Sequence, residues 1–171
     1  MERREDLYDE VVRTYGAALG RLASAYEADP DRRRDLLQDV HLAIWNSLES
    51  FDARCSLRTW VYRVGHNVAT SHVIGDRRKK SLHLISIDDI DIADQRNNAE
   101  ESIERGLALD RLMALIQTLK PIERQIVLLF LEGVDAAGIA EVTGLSAGNV
   151  ATRIHRIKNI LINRFQGGGK S

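Results

Sequence analysis

The chain carries one cysteine, Cys55, and two prolines, Pro30 and Pro121, in 171 residues. A single thiol excludes an internal disulfide, so the fold must be held by packing, and it fits a reducing compartment. With little proline and few alternating β-branched stretches, the chain reads as helical. No apolar run approaches the ~20 residues that a membrane span needs. The opening Met1-Glu2-Arg3-Arg4-Glu5-Asp6 has no apolar core behind it, which excludes a signal peptide. A soluble, cytoplasmic protein is expected. Net charge is −1, so bulk attraction to a polyanion is missing as well. No Gly-rich phosphate loop, nucleophile elbow or paired-carboxylate arrangement stands in a convincing context, which argues against an enzyme. His41, His66, His72, His83 and His155 are scattered without further ligands at metal spacing, so neither a metal nor a cofactor is expected.

What is present is segregated charge on amphipathic helices. Between Cys55 and Lys80 stand Arg58, Arg63, Arg77, Arg78, Lys79 and Lys80 against Asp76 alone. Between Ile85 and Asp110 the acids Asp88, Asp89, Asp91, Asp94, Glu100, Glu101, Glu104 and Asp110 face only Arg96 and Arg105. A first helix is expected from about Glu5 to Tyr26, and a second from about Arg32 to Ser47 that buries Leu37, Val40, Ile44 and Leu48. The second leaves Asp35, Gln38, Asp39 and Leu42 outside. Leu42 is the odd member, an apolar residue on a polar face. A third helix from about Leu57 to Ile74 would bury Leu57, Trp60, Val61, Val64 and Val68 and expose Arg58, Tyr62, Arg63, His66 and Asn67, with Gly75 and the basic cluster closing it. Trp60 falls on the apolar stripe and reads as core; Tyr62 faces the other way and is the better stacking group.

Residues 81–98 read as an acidic linker, because the isoleucines Ile85, Ile87, Ile90 and Ile92 lie among aspartates with no second strand to pair them. Helix resumes at about Ala99. The expected architecture is therefore all-α: a helical domain over residues 1–80, the linker, a second helical domain over 99–166 and a flexible tail over 167–171.

The second domain contains a helix-turn-helix. Pro121 can open a helix whose apolar run Ile126, Val127, Leu128, Phe130 and Leu131 continues to Glu132-Gly133. A short helix from about Ala136 to Thr143 follows. Gly144 then supplies a left-handed turn residue, Leu145 plugs the corner and Ser146 caps the next helix. Val150, Ile154, Ile157 and Leu161 form that helix's apolar stripe, while Asn149, Thr152, Arg153, Arg156 and Lys158 lie opposite. Ala147 and Gly148 let the backbone approach phosphates at the helix N-terminus, and Asn149 and Arg153 can reach base edges in a major groove.

These residues together resemble the extracytoplasmic-function (ECF) group of the bacterial sigma-70 family of RNA polymerase sigma factors. Asp35-Leu36-Leu37-Gln38-Asp39-Val40 with Ile44-Trp45 is similar to the segment with which that family holds the polymerase clamp. Phe51-Asp52 and Leu57-Arg58-Thr59-Trp60-Val61-Tyr62-Arg63-Val64-Gly65-His66-Asn67 are similar to its −10-reading and promoter-melting segment, and Leu119-Lys120-Pro121 through Arg124, Gly138-Ile139-Ala140 through Gly144-Leu145-Ser146 and Val150 through Arg156 to its −35-reading segment. The family usually carries an acid near Ala137-Gly138 and Thr where Asn149 stands. The resemblance implies that Asp35, Gln38, Asp39 and Leu42 bind core polymerase. It implies that Phe51, Asp52, Arg54, Ser56, Arg58, Tyr62, Asn67, Arg77 and Arg78 bind the −10 DNA, with a flipped base held by the Phe51–Ser56 loop and Asn67. For the −35 DNA it implies Ser146, Ala147, Gly148, Asn149, Thr152, Arg153 and Arg156. The implied partners are core polymerase, through its clamp and flap, promoter DNA and an anti-sigma protein. The other reading of the same helix-turn-helix is a regulator that binds duplex DNA as a dimer without serving as a polymerase subunit.

Overall fold

The structure is a computed structural model that describes residues 1–82 and 102–167, with side chains for 1–76 and 106–167. Among the described residues all regular structure is helical. The elements are α1 (Glu2–Tyr26), α2 (Pro30–Ser47), α3 (Leu57–Leu82), α4 (Ser102–Gln117), α5 (Pro121–Leu131), α6 (Ala136–Thr143) and α7 (Ala147–Gly167), with a 3-10 turn at Leu48–Ser50. The linker and its isoleucines, and the tail beyond Gly167, lie outside the described residues.

Local chemistry sets the element boundaries. Pro30 and Pro121 each stand in the first turn of a helix, where a missing N–H costs nothing. Asp29 caps α2 by accepting from the N–H groups of Asp31 and Arg32, and Asp135 caps α6 by accepting from Gly138. The third helix runs on past Gly75 to Leu82 instead of ending at Ile74. One glycine costs a helix only about 1 kcal/mol, and the residues that follow it are good helix formers.

Helices α1, α2 and α3 pack on one another around Val11, Leu19, Leu22, Leu36, Val40, Ile44 and Val61. Leu36 is fully buried and Leu37 only half-buried, one position from the expected stripe. Helices α4 to α7 close a second bundle around Ile116, Ile126, Leu129, Ile139, Val150 and Ile157. Each such side chain contributes about 1.5–3 kcal/mol when withdrawn from water. The two bundles are not apart. Helix α6 lies on α3, and α4 and α5 lie on α1, so that the buried residues of both halves form one connected cluster.

Candidate nucleic-acid interface

The helix-turn-helix forms as its sequence dictates. Gly144 ends α6 in the left-handed region at φ 79°, and Ser146 Oγ accepts the N–H of Asn149 at 3.2 Å to start α7. Val150 and Ile157 seat α7 on its bundle, and Ser146, Ala147, Gly148, Asn149, Thr152 and Arg156 are exposed, with Arg153 half-buried. Arg153 Nε donates to Asn149 Oδ1 at 2.8 Å, which aligns the two side chains one turn apart. Thr152 Oγ1 donates to the Gly148 carbonyl at 3.0 Å, and Arg156 donates to Glu123 on α5 at 2.5 Å. Lys158 sits 4.4 Å over the Phe130 ring and Arg164 donates to Thr118, so the C-terminal part of the basic face is tied to its own bundle. The uncommitted positive end is the first two turns. There the free N–H groups and the helix dipole add to the side chains in attracting an anion. Among the described residues α7 makes no contact with α1, α2 or α3.

The second surface is the loop 51–56 with α3. Ser56 is a cap: its Oγ accepts the N–H of Thr59 at 3.1 Å and donates to Thr59 Oγ1 at 3.0 Å. Ala53 takes a positive φ of 60°, and Asp52 holds Arg54 through both its backbone N–H and an ion pair at 2.9 Å. Asp52, Arg54, Ser56, Arg58 and Asn67 are exposed and Phe51 is half-buried. Phe51 packs edge-on against Trp60 at 5.3 Å, and Trp60 Nε1 donates to Ser47 at 2.9 Å, in keeping with the core role read for Trp60. Arg77 and Arg78 lie on the backbone of α3, and their side chains are outside the described residues.

Two expectations for α3 are corrected here. Tyr62 is not an exposed stacking group. It is 5% exposed, lies edge-on to Tyr15 of α1 at 5.8 Å, and burial pushes its hydroxyl pKa up to about 12. His66, also expected outside, is 1% exposed with its Nδ1 3.1 Å from the Tyr26 hydroxyl, and burial drives its pKa down to about 3. The cause is common to both. α3 is buried on a second side, between α1 and the other bundle, and a reading from one apolar stripe assigns that side to solvent.

Beside the shared apolar cluster, polar contacts cross between the two bundles. Arg21 of α1 makes a two-pronged pair with Glu132 at 2.5 and 2.8 Å, and the hydrogen bond to Glu132 raises the guanidinium pKa further. Thr59 Oγ1 donates to Glu141 Oε2 at 3.3 Å and Arg63 Nη2 to the Glu141 carbonyl at 2.7 Å. Tyr26 donates to the Pro121 carbonyl at 3.3 Å and Gln117 to that of Ser24 at 2.8 Å. At Gly138 of α6 a Cβ would lie 2.7 Å from Val134 Cγ1 and 3.0 Å from Asp135 Oδ1 in the preceding turn, and 3.4 Å from Arg58 Nη2 of α3. The first helix of the helix-turn-helix thus rests on Arg58, Thr59 and Arg63, part of the basic helix of the first bundle. Sequence reading missed Arg21, Glu132 and Glu141, since pairs 111 or 82 residues apart leave no local pattern.

On α2, Asp35, Gln38, Asp39 and Leu42 form one exposed face, Leu42 at 59%. The fold also gathers Glu27, His72 and Asp76, whose ligand atoms lie within 4.8 Å of one another, a grouping that the scattered histidines did not announce. Arg32 already supplies the positive charge, bonding Asp76 and lying 3.5 Å from Glu27. Burial raises the Glu27 pKa, but hydrogen bonds from His72 and the Asp29 N–H, with Arg32 nearby, hold it below the ordinary value overall.

Known proteins share this order of parts. The family description "Sigma-70 region 2" matches residues 11–79 and "Sigma-70, region 4" matches residues 109–161, together more than two thirds of the chain. RNA polymerase sigma factor NccH of Alcaligenes xylosoxydans xylosoxydans is 24% identical over 88% of this chain and 82% of its own length. The ECF RNA polymerase sigma-E factor of Haemophilus influenzae is 26% identical over 77% of this chain and 74% of its own. Among solved structures, sigma factor RpoE in complex with the anti-sigma factor NepR from Bartonella quintana superposes with a TM-score of 0.72, covering 95% of this chain and 98% of that one at 20% identity, a likeness of fold. With region 2 and region 4 present in order, each on the bundle that carries one of the two surfaces, the chain belongs to the sigma-70 family, in its ECF group of RNA polymerase sigma factors.

Proposed function

We infer that the two surfaces read the two elements of a promoter while the exposed face of α2 holds core RNA polymerase. The observation that carries this reading is the separation of roles along one chain. A capped, solvent-facing helix N-terminus bearing Asn149, Thr152 and Arg153 suits closed duplex DNA. A basic helix beside an exposed loop, with Phe51 at its edge and Asn67 beyond, suits an unpaired strand. Arg153 and Asn149 reach base edges of the −35 element, and Ala147 and Gly148 let phosphates come close. In the first bundle, Asp52, Arg54, Ser56 and Arg58 line the approach to a base flipped from the non-template strand, Asn67 contacts its edge, and Arg77 and Arg78 neutralise phosphates near the fork. Tyr62 has no part in stacking there while the bundles stay together.

Opening requires no covalent chemistry, and the chain works as a binding subunit rather than an enzyme. Melting follows from binding one strand more tightly than the duplex. Asp35, Gln38, Asp39 and Leu42 dock on the clamp, where Leu42 gains the apolar cover it lacks in the free chain. The second bundle meets the flap. Since α6 rests on Arg58, Thr59 and Arg63, the bundles separate before the −10 surface is used. An anti-sigma protein that binds the joined form would hold the factor inactive in the cytoplasm. No described helix is long and apolar enough to cross a membrane. A self-sufficient dimeric regulator is the disfavoured alternative, because its N-terminal half would have no reason to match sigma region 2. Gel filtration with core polymerase tests the choice: co-elution of chain and core is expected, and independent elution at micromolar concentrations would refute the polymerase-subunit reading.

A further inference from the structure

Where α1 ends against α3, Glu27, His72 and Asp76 bring one ligand atom each to within 4.8 Å of one another. His72 and Asp76 stand four residues apart on α3, so both side chains leave the same face of that helix. Glu27, which follows the last turn of α1, meets them from the other side. His72 Nε2 lies 2.8 Å from Glu27 Oε2 and 3.9 Å from Asp76 Oδ2. Ligand atoms around a tetrahedral Zn²⁺ stand about 3.3–3.6 Å from one another, so shifts of about 1 Å close this set on one ion.

The Glu27 carboxylate is aimed before any ion arrives. The residue is 8% exposed, its Oε1 accepts the N–H of Asp29 at 3.0 Å, and Arg33 Nε donates to its carbonyl at 3.0 Å. The bond to Oε1 leaves Oε2 turned toward His72, and outer bonds of this kind orient a metal ligand. Arg32 lends the carboxylates one positive charge, bonding Asp76 and lying 3.5 Å from Glu27. A divalent ion brings two charges to the same point, and with the imidazole neutral it balances both carboxylates. Arg32 is exposed and can turn into water when an ion takes its place. One imidazole and two carboxylates are ordinary ligands of Zn²⁺, whereas Mg²⁺ and Ca²⁺ take oxygen alone. His72 and Asp76 are only half-buried, which leaves a way in. Glu27, Arg32 and Asp76 also line a cavity of about 230 Å³ that they share with Gln117 and Arg124 of the second bundle, with room for water to complete the coordination.

We propose that Glu27, His72 and Asp76 form a site for a first-row divalent transition ion, Zn²⁺ being the best fit, in which the ion and Arg32 exchange for the same two carboxylates. Ligation uses His72 Nε2, so the bound ring carries its hydrogen on Nδ1. The ion fastens the end of α1 to α3, and an ion that binds only the folded chain raises its stability. The site is independent of the promoter reading and needs neither core polymerase nor DNA.

Calorimetric titration of the full, untagged chain with ZnCl₂, paired with thermal unfolding, tests it. Uptake of one ion per chain at micromolar Zn²⁺ is expected, with a higher unfolding temperature, while Mg²⁺ at the same concentration leaves the chain unchanged. His72→Gln and Asp76→Asn should each weaken uptake by more than about tenfold, since losing even an outer partner of a ligand costs that much. Arg32→Gln should tighten it about tenfold, because the competing cation is gone. Circular dichroism checks that each variant keeps its helix content. No uptake at micromolar Zn²⁺, or uptake equal in wild type and His72→Gln, overturns the site and leaves the cluster as an ion-pair brace of α1 on α3. Uptake in Arg32→Gln that is no tighter than in wild type overturns the exchange.

Discussion

Arg153 carries the sharpest residue-level prediction, because its geometry is set by Asn149 one turn earlier. Arg153→Ala should weaken holoenzyme binding to the −35 element by about 1–3 kcal/mol and relax preference at one base pair. Competition with single-base variants of the duplex checks it, and equal loss on every sequence would make the residue a phosphate contact. His66 gives a prediction of another kind. Its folded pKa of about 3 lies far below the ordinary 6.5, so the folded state binds fewer protons than the unfolded one between those values. Stability is therefore full above pH 6.5 and falls as pH drops toward 3. From pH 6.5 to 5 the wild type should lose about 1.5–2 kcal/mol more than His66→Gln in urea unfolding. Parallel curves for the two would mean that the imidazole is protonated in place. His66 and Tyr62 are also where sequence reading failed. Both lie off the apolar stripe of their helix, and what buries them is an encounter with α1 and the second bundle that no local period encodes.

At the scale of elements, the boundaries were legible where a single residue does a defined job. Pro121 opening α5, Gly144 at positive φ and Ser146 capping α7 stand in the structure as read. The far end of α3 runs past the stop expected at Gly75, because one glycine is too weak to end a helix of this length. The recognition turn was clear from sequence, while the seat of α6 on α3 was not, since Thr59 and Arg63 meet Glu141 from 82 and 78 residues away. Gly138→Ala should destabilise the chain by about 1–3 kcal/mol in urea unfolding, the overpacking against Val134 and Asp135 outweighing the roughly 1 kcal/mol that alanine gains in helix propensity. A gain in stability would show that the neighbours yield freely and that the close approach is incidental.

The whole molecule joins two bundles whose proposed tasks require them to part. Its interface combines a continuous hydrophobic cluster with a few hydrogen bonds and the half-exposed Arg21–Glu132 pair, and a pair of that exposure contributes only up to about 1 kcal/mol. Combining Gln38→Ala with Asp39→Ala should weaken association with core by about tenfold at unchanged helix content, measured by fluorescence titration, and unchanged affinity would move the docking face elsewhere. The most direct test of the account is run-off transcription by core polymerase from a promoter library, with and without the purified chain. Transcripts starting at a defined subset of promoters, absent without the chain and lost when either the −35 or the −10 segment is scrambled, are the predicted result; initiation that proceeds equally well without the chain would contradict it.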